Sequence, residues 1–291
     1  MVANLVHDAT FGSYVISPLC QSFLDTPEHW RLKHIIMSHA DIVFPSITYS
    51  RREHCLSVMH LAREWASRLT TDQRTIDLIA LAGLYHDVGH ITTSHALDDY
   101  MHTVHNVPDH EERSLRIVTS VNQRLGLLTP SEERFVKNCI VGTPGSDGSF
   151  PLWTYRIVHN VDPTLPDVDR ITYLIHDANR LGFPCTFDPG LIMRNIVVGP
   201  DTGDLEFGLH CLPELRRVSA MRLRHFGTVF HHPRVLAYQK ALCSTFIRVF
   251  GETRLLELFS GDGWLALTDV LLWTELAKDE EISDKLTRGC F

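Results

Sequence analysis

No apolar run in this 291-residue chain approaches the ~20 residues needed to cross a bilayer, so no membrane-spanning helix is expected. A disulfide framework is equally unsupported. The seven cysteines are scattered and form no CxxC pair, which is the pattern of reduced thiols. Positive charge is also short: 27 Lys and Arg against 35 Asp and Glu give a net charge of -8. That balance argues against broad binding to a nucleic-acid backbone, but it leaves room for a locally basic pocket that holds a small anion. The N-terminal stretch MVANLVHDATFG has no basic flank and carries Asp8, so it does not read as a signal peptide. A cytoplasmic or nuclear location is therefore expected. Internal repeats and low-complexity segments are absent.

What is present is a soluble globular composition, 44% hydrophobic and 21% charged, in a chain long enough for one large domain or two ordinary ones. The 18 histidines are the unusual number, and several fall between His54 and His110, which favours metal chemistry. Helical signals dominate. Ser50 to Glu53 has the form of a capping box, and Val58, Leu61, Ala62, Trp65 and Leu69 follow at helical spacing. Thr70 to Gln73 reads as a second box opening a helix over Ile76–Asp87, and Asp109 to Glu112 as a third. Thr129-Pro130-Ser131-Glu132 starts a helix that Gly142 should stop, and 143–151 is a loop by composition. Asp167 to Gly182 reads as a glycine-closed helix. Ile192–Val198 and Leu205–His210 flank GPDTGD as a hairpin. Three more helices are expected near Pro213–His225, Pro233–Val249 and Trp264–Lys278, followed by a solvated or frayed charged tail, Asp279 to Arg288. The reading is a mainly α protein with a small β-hairpin and C-terminal helices.

Within it, LAGLYHDVGH (Leu81 to His90) is odd, because an apolar helix ends in two adjacent polar ligand types, His86 and Asp87. A buried carboxylate needs a partner. His54 lies one turn into its helix and Asp169 begins another, so two imidazoles and two carboxylates, each near a helix end, have the residue types to share one metal ion. Such mixed nitrogen and oxygen ligands suit iron, manganese or a similar divalent transition ion, which can polarise a phosphoryl oxygen and lower the pKa of bound water. Alternatively, His86 caps its helix and Asp87 pairs with an arginine. Spacing alone leaves both open. Asp169, Tyr173 and Asp177, spaced i, i+4, i+8, share one helix face, while Ile171, Leu174, Ile175 and Ala178 face a core.

YSRREH (Tyr49 to His54), YHDVGH (Tyr85 to His90) and PDVDR (Pro166 to Arg170) resemble, in order, the H…HD…D signature of the HD-domain phosphohydrolases. FLDTPEHWRLKHI, VFPSITYSRREH, HDVGHITTSH, PDHEERS, DRITYLIHDANRLG and the late AYQ at Ala237 to Gln239 are similar to the deoxynucleoside triphosphate triphosphohydrolase subfamily. The likeness is to its animal members with both SAM and HD domains, for whose SAM domain this chain has no room. It implies an HD-domain core over 1–190 and a hairpin plus helical extension over 191–291.

The same resemblance implies His54, His86, Asp87 and Asp169 as metal ligands, His95 as the proton donor to the leaving 5′ oxygen, and His90 and His110 as further active-site histidines. Bottom-up, Glu111 and Glu112 beside His110 would favour its protonated form. Tyr173, Asp177 and Tyr238 would contact the nucleotide, and Arg51 and Arg170 its phosphates, where a planar guanidinium can bind two oxygens at once. A second ion, magnesium, would bridge Asp87 and the phosphates. Asp25 and Lys33 match positions that read an activating guanine nucleotide.

Three departures stand out. Ile36, followed by Met37, replaces a glutamine that reads the sugar. Phe230 replaces the arginine of the terminal phosphate, leaving His231, His232 or Arg234 as substitutes. GHITTSH replaces GHGPFSH. The expected function is hydrolysis of deoxynucleoside triphosphates to deoxynucleoside and inorganic triphosphate. Its rivals are hydrolysis of a nucleoside monophosphate or a cyclic or signalling nucleotide, and a non-catalytic nucleotide-binding regulator. The partner is a nucleotide, nucleic-acid binding is not expected, and a homo-oligomer is compatible with the resemblance.

Overall fold

The computed structural model describes residues 4–145 and 148–288, so the loop expected over 143–151 is described except at 146 and 147. The chain opens with an antiparallel hairpin of β1 (Leu5–Asp8) and β2 (Gly12–Val15). Its turn is closed by the Asp8 carboxylate, which accepts from the Thr10 and Phe11 amides at 2.6 and 3.0 Å. Neither strand was expected, because four-residue strands carry too little alternation to register as a pattern. Two short Pro-initiated helices follow, α1 (Pro18–Leu24) capped by Ser17 and α2 (Pro27–Trp30) capped by Thr26.

The centre is α3 (Arg51–Leu69) packed on α4 (Gln73–Tyr85). The stripe Val58, Leu61, Ala62 and Trp65 is buried as the spacing predicted, and α4 is buried on nearly all sides. Close approach of the two helices depends on Gly83, where a Cβ would stand 3.1 Å from the Val58 carbonyl oxygen. Ser50 caps α3 through the Glu53 amide. The cap of α4 is Asp72, not Thr70. Its carboxylate takes the Arg74 and Thr75 amides, Thr70 ends α3 instead, and α4 stops at Tyr85, with His86 as its C-cap.

Helix α5 (His95–His105) was not anticipated, since its N-cap residue Ser94 makes no side-chain cap, and Thr93 Oγ1 takes the Leu97 amide at 3.2 Å instead. Then come α6 (His110–Leu125), capped by Asp109, and α7 (Pro130–Ile140), with both halves of the Thr129–Glu132 capping box in place. Helix α8 (Val168–Leu181) lies between the Asp167 cap and Gly182, which takes the left-handed conformation that suits glycine (φ 66°).

The second hairpin is shorter than expected. Pro189–Arg194 is helical (α9), leaving β3 (Ile196–Val198) paired with β4 (Leu205–Phe207). Helices α10 (Leu212–His225), α11 (Pro233–Phe250), α12 (Glu252–Phe259) and α13 (Asp269–Leu276) complete the packed body, with a π-helical turn over Phe226–Phe230. The charged tail is not frayed: it forms α14 (Glu280–Arg288), supported by Lys285–Glu281 and Arg288–Asp284 pairs at i, i+4. One continuous hydrophobic cluster runs from Tyr14 to Ile282. The fold is mainly α, and none of the described helices is long and apolar enough to cross a membrane.

Candidate metal centre and adjoining cavity

Three helix ends converge. His54 sits at the first turn of α3, His86 and Asp87 at the end of α4, and Asp169 in the first turn of α8, where the helix dipole favours a carboxylate. His54 Nε2 lies 2.9 Å from Asp169 Oδ1, and His86 Nε2 is 3.5 Å from the same oxygen and 3.6 Å from Asp87 Oδ1. His54 Nε2 and Asp87 Oδ2 are 4.0 Å apart. His86 Nδ1 is bonded to the Gly83 carbonyl at 2.9 Å, which fixes the ring and leaves Nε2 buried without a hydrogen-bond partner. A backbone carbonyl on the far nitrogen is the usual outer support of a ligating histidine.

The electrostatics point the same way. Burial alone would lower the His86 pKa, yet Asp87 and Asp169 outweigh it and raise it to about 9. Burial likewise opposes ionisation of Asp87 and Asp169, but their cationic neighbours pull both below the usual carboxylate range. The pocket therefore calls for a cation. The donor set, with an orphaned imidazole nitrogen, fits a divalent ion held by His54, His86, Asp87 and Asp169. Both earlier options for Asp87 have a footing here, since Arg51 donates to its Oδ2 and occupies one carboxylate oxygen.

Beside this centre stand His90, His95 and His110. His90 and His110 stack with ring centroids 4.0 Å apart, and His95 meets both edge-on at 5.1 and 5.3 Å. The carboxylate that holds His110 is Asp98, whose Oδ2 lies 2.8 Å from Nδ1, and not Glu111 or Glu112. Asp98 is buried and also takes a hydrogen bond from Arg113. Burial, reinforced by Arg51 and His110, drops the His95 pKa to about 4, and the same causes hold His90 well below the usual imidazole range.

His54, Asp87, His90, His95, His110 and Asp169 line a cavity of about 980 Å³, and His86 lies just behind its wall. Its volume is at the upper end for a small-ligand site. Tyr173 and Asp177 of α8 line it too. Asp177 Oδ1 accepts from the Tyr49 hydroxyl at 2.8 Å, while Oδ2 is buried with no partner. Burial pushes this carboxyl up to about 7, against the lowering effect of Tyr49.

Other expected residues are placed differently. Arg170 lines the cavity, but its guanidinium donates to the carbonyls of Asn160, Asp162 and Leu165 at 3.0, 3.2 and 2.8 Å, so it braces its own loop. Tyr238 is buried outside the cavity lining, and its neighbour Gln239 lines it instead. Phe230 and His231 line the wall, whereas His232 caps α11 and, with Arg234, lies off it. Met37 faces the cavity and Ile36 does not. Lys33 lines a separate pocket with Trp30 and Arg52 that does not include Asp25. Arg222, Lys240 and Tyr49 are lining residues that the motifs did not single out. Only Tyr49 carried a signal, its place in the YSRREH stretch.

The family model described as the HD domain matches residues 51–140, which contain His54, His86, Asp87, His90, His95 and His110. A protein named as HD domain-containing from Acanthamoeba polyphaga mimivirus is 24% identical over 284 residues, covering 89% of this chain and 61% of that protein. The deoxynucleoside triphosphate triphosphohydrolase SAMHD1 of Homo sapiens is 28% identical over 217 residues, covering 64% of this chain and 34% of the human protein. SAMHD1 of Bos taurus is 30% identical over 218 residues, with 64% and 37% covered. The chain thus spans between about a third and three-fifths of the length of these relatives. Residues 51–140 thus match the HD-domain model, and the chain is similar to proteins named deoxynucleoside triphosphate triphosphohydrolase SAMHD1.

Proposed function

We propose that this HD-domain protein is a metal-dependent phosphohydrolase that cleaves deoxynucleoside triphosphates at the α-phosphate, releasing deoxynucleoside and inorganic triphosphate. The observation that carries the reading is the convergence of His54, His86, Asp87 and Asp169 beside a nucleotide-sized cavity that is also lined by His90, His95 and His110. When bound there, a divalent ion such as iron or manganese supplies Lewis-acid polarisation of a phosphoryl oxygen and lowers the pKa of water. Magnesium is expected to arrive with the nucleotide's phosphates.

The protein side chains divide the remaining work. Arg51, fixed by Asp87 and by Ser94 Oγ at 3.3 Å, faces the cavity and balances phosphate charge. His95 is neutral in the free protein, and a phosphate anion beside it favours its protonated form, so that it gains a proton as substrate binds. That proton passes to the leaving 5′ oxygen. Asp98 orients His110 through Nδ1, and His90 packs on it, limiting water around the donor. Asp177 Oδ2, lacking a partner, accepts from a sugar hydroxyl, and Tyr173 forms the adjoining wall.

A second reading, turnover of nucleoside monophosphates or other nucleotides, has specific support. Phe230 is apolar and the Arg170 donors are engaged by carbonyls, so the cavity cations left for distal phosphates are Arg222 and Lys240. The test is a panel of the four dNTPs, their ribose counterparts and the dNMPs, with products separated by ion exchange. Inorganic triphosphate from dNTPs supports the proposal. Release of phosphate or pyrophosphate alone, or preferential turnover of monophosphates, overturns it.

A further inference from the structure

The loop that leads into His95 is built in an unfavourable shape. Thr93 and Ser94 have φ of 58° and 50°, a region that side chains other than glycine avoid. Conformations of this kind are costly and persist only where the surroundings over-determine them. The restraint comes from the far end of the chain. The Thr92 amide donates to the Leu267 carbonyl at 2.9 Å, and the Thr92 hydroxyl donates to Asp269 Oδ1 at 2.6 Å. Asp269 Oδ2 takes the Ile36 amide at 2.8 Å, and the Ile36 carbonyl in turn accepts from Ser94 Oγ at 3.1 Å.

One step earlier in the loop, two buried arginines hold three successive carbonyls. Arg31 donates to Val88 and His90 at 3.0 and 2.7 Å and, through Nε, to the Leu265 carbonyl at 2.8 Å. Arg113 donates to the Gly89 carbonyl at 2.9 Å. The Trp264 ring lies against both guanidinium groups, at 5.5 and 5.2 Å.

We infer that the segment 264–269, reached through Thr92, Arg31 and Arg113, sets the position of His95, and that Asp269 is a positioning residue for the hydrolytic step. The physical reason is that the segment satisfies loop donors on the side away from the cavity, leaving the strained Thr93–Ser94 pair a single conformation. This rests on the proposed role of His95 as proton donor. Asp269 reaches neither the metal ligands nor the cavity lining.

The test compares Thr92→Val, Asp269→Asn and Asp269→Ala with the wild type, and uses Trp273→Ala, an exposed change on the same helix, as control. Kinetics are read on the nucleotide that the wild type turns over best, and backbone amide exchange of 91–96 is read by mass spectrometry in all proteins. Thr92→Val and Asp269→Ala should lower kcat by up to ~10²-fold, the cost of roughly an ångström of misplacement. KM and metal content should stay near wild type. Asp269→Asn, which keeps one acceptor oxygen, should be intermediate, and the Thr92→Val/Asp269→Ala double variant should be no worse than the poorer single variant. Exchange over 91–96 should quicken while that of α3 and α4 does not. Unchanged kcat in both variants, or unchanged exchange over 91–96, overturns the inference. So does a loss of activity that follows metal loss or general unfolding. Should the wild type turn over no nucleotide, the reading of function fails, and the exchange arm still decides whether Asp269 holds this loop.

Discussion

Replacing Gly89 by alanine should damage the metal centre without touching a ligand. Gly89 lies between Asp87 and His90 and donates its amide to Ser114 Oγ at 2.9 Å, so the loop is pressed against the start of α6. A Cβ at this position would stand 2.2 Å from the His110 carbonyl oxygen, 2.6 Å from the Ser114 amide nitrogen and 2.9 Å from Ser114 Oγ. Two of these atoms are helical backbone and cannot swing aside, and α6 is pinned by its Asp109 cap and by buried Arg113. Relief requires the loop and α6 to part by roughly an ångström, an overpacking strain that typically costs ~1–3 kcal/mol. For a chain of this size each kcal/mol lowers Tm by about 2–4 °C, so a drop of roughly 2–12 °C is expected. Since His86, Asp87 and His90 ride on the same loop, metal affinity should fall by about 10–100-fold, as when an outer support of a ligand is lost. Scanning calorimetry and competition with a chelator measure the two effects. Gly126→Ala is the control: its φ of 64° makes alanine strained, but no atom lies within 4 Å, so it should lose stability and keep metal affinity. A Gly89→Ala protein with wild-type Tm and metal affinity would refute the close packing of this loop.

His95→Ala should retain its metal and lose about 10²–10⁴-fold in turnover, the size of a general-acid contribution; elemental analysis and kcat decide it. Burial raises Asp177 to about 7, so its neutral form is favoured by the fold, and that contribution to stability is present at low pH and lost as pH rises through about 7. The stability of Asp177→Asn should therefore gain on the wild type between pH 4 and 7, with a slope approaching ~1.4 kcal/mol per pH unit, measurable by urea unfolding. Arg170→Lys should loosen the 160–165 loop, because a lysine cannot reach three carbonyls from one planar group; a stability loss of about 1–3 kcal/mol is expected, and an unchanged unfolding midpoint would contradict the bracing role.

The parts of this structure that could be read from sequence are those governed by local chemistry. Ser50, Asp109, Thr129 and Asp167 cap the helices that follow them because an oxygen three residues before an amide is a short-range device. At α4 the expected Thr70 cap gave way to Asp72, whose carboxylate lies nearer the helix and takes both amides. Helix α5 was missed because its start is unusual: Thr93 and Ser94 take positive φ, and Ser94 Oγ bonds the distant Ile36 carbonyl instead of capping the helix. The residues proposed to hold the metal were legible as motif elements, each close to a recognisable helix end. The long-range contacts around them were not: Tyr49 meets Asp177 in the cavity wall across 128 residues, and Thr92 meets Asp269 behind the His95 loop across 177, separations that no local pattern encodes. Arg170 shows the opposite failure, since its place in the motif suggested phosphate and its donors are instead held by the neighbouring loop.

Metal analysis of the wild type beside Asp169→Ala decides whether His54, His86, Asp87 and Asp169 hold a divalent ion on which hydrolysis depends. Asp169 lies against both His54 and His86, so removing it takes away a charge and a ligand atom in one step. Purified wild type should contain a first-row transition metal at about one ion per chain at the four-ligand site. The Asp169→Ala protein should remain folded, lose that ion, and lose nucleotide turnover with it. Wild type that turns over nucleotide while free of metal, or an Asp169→Ala protein that keeps both ion and activity, would show that hydrolysis does not depend on an ion held by these four residues.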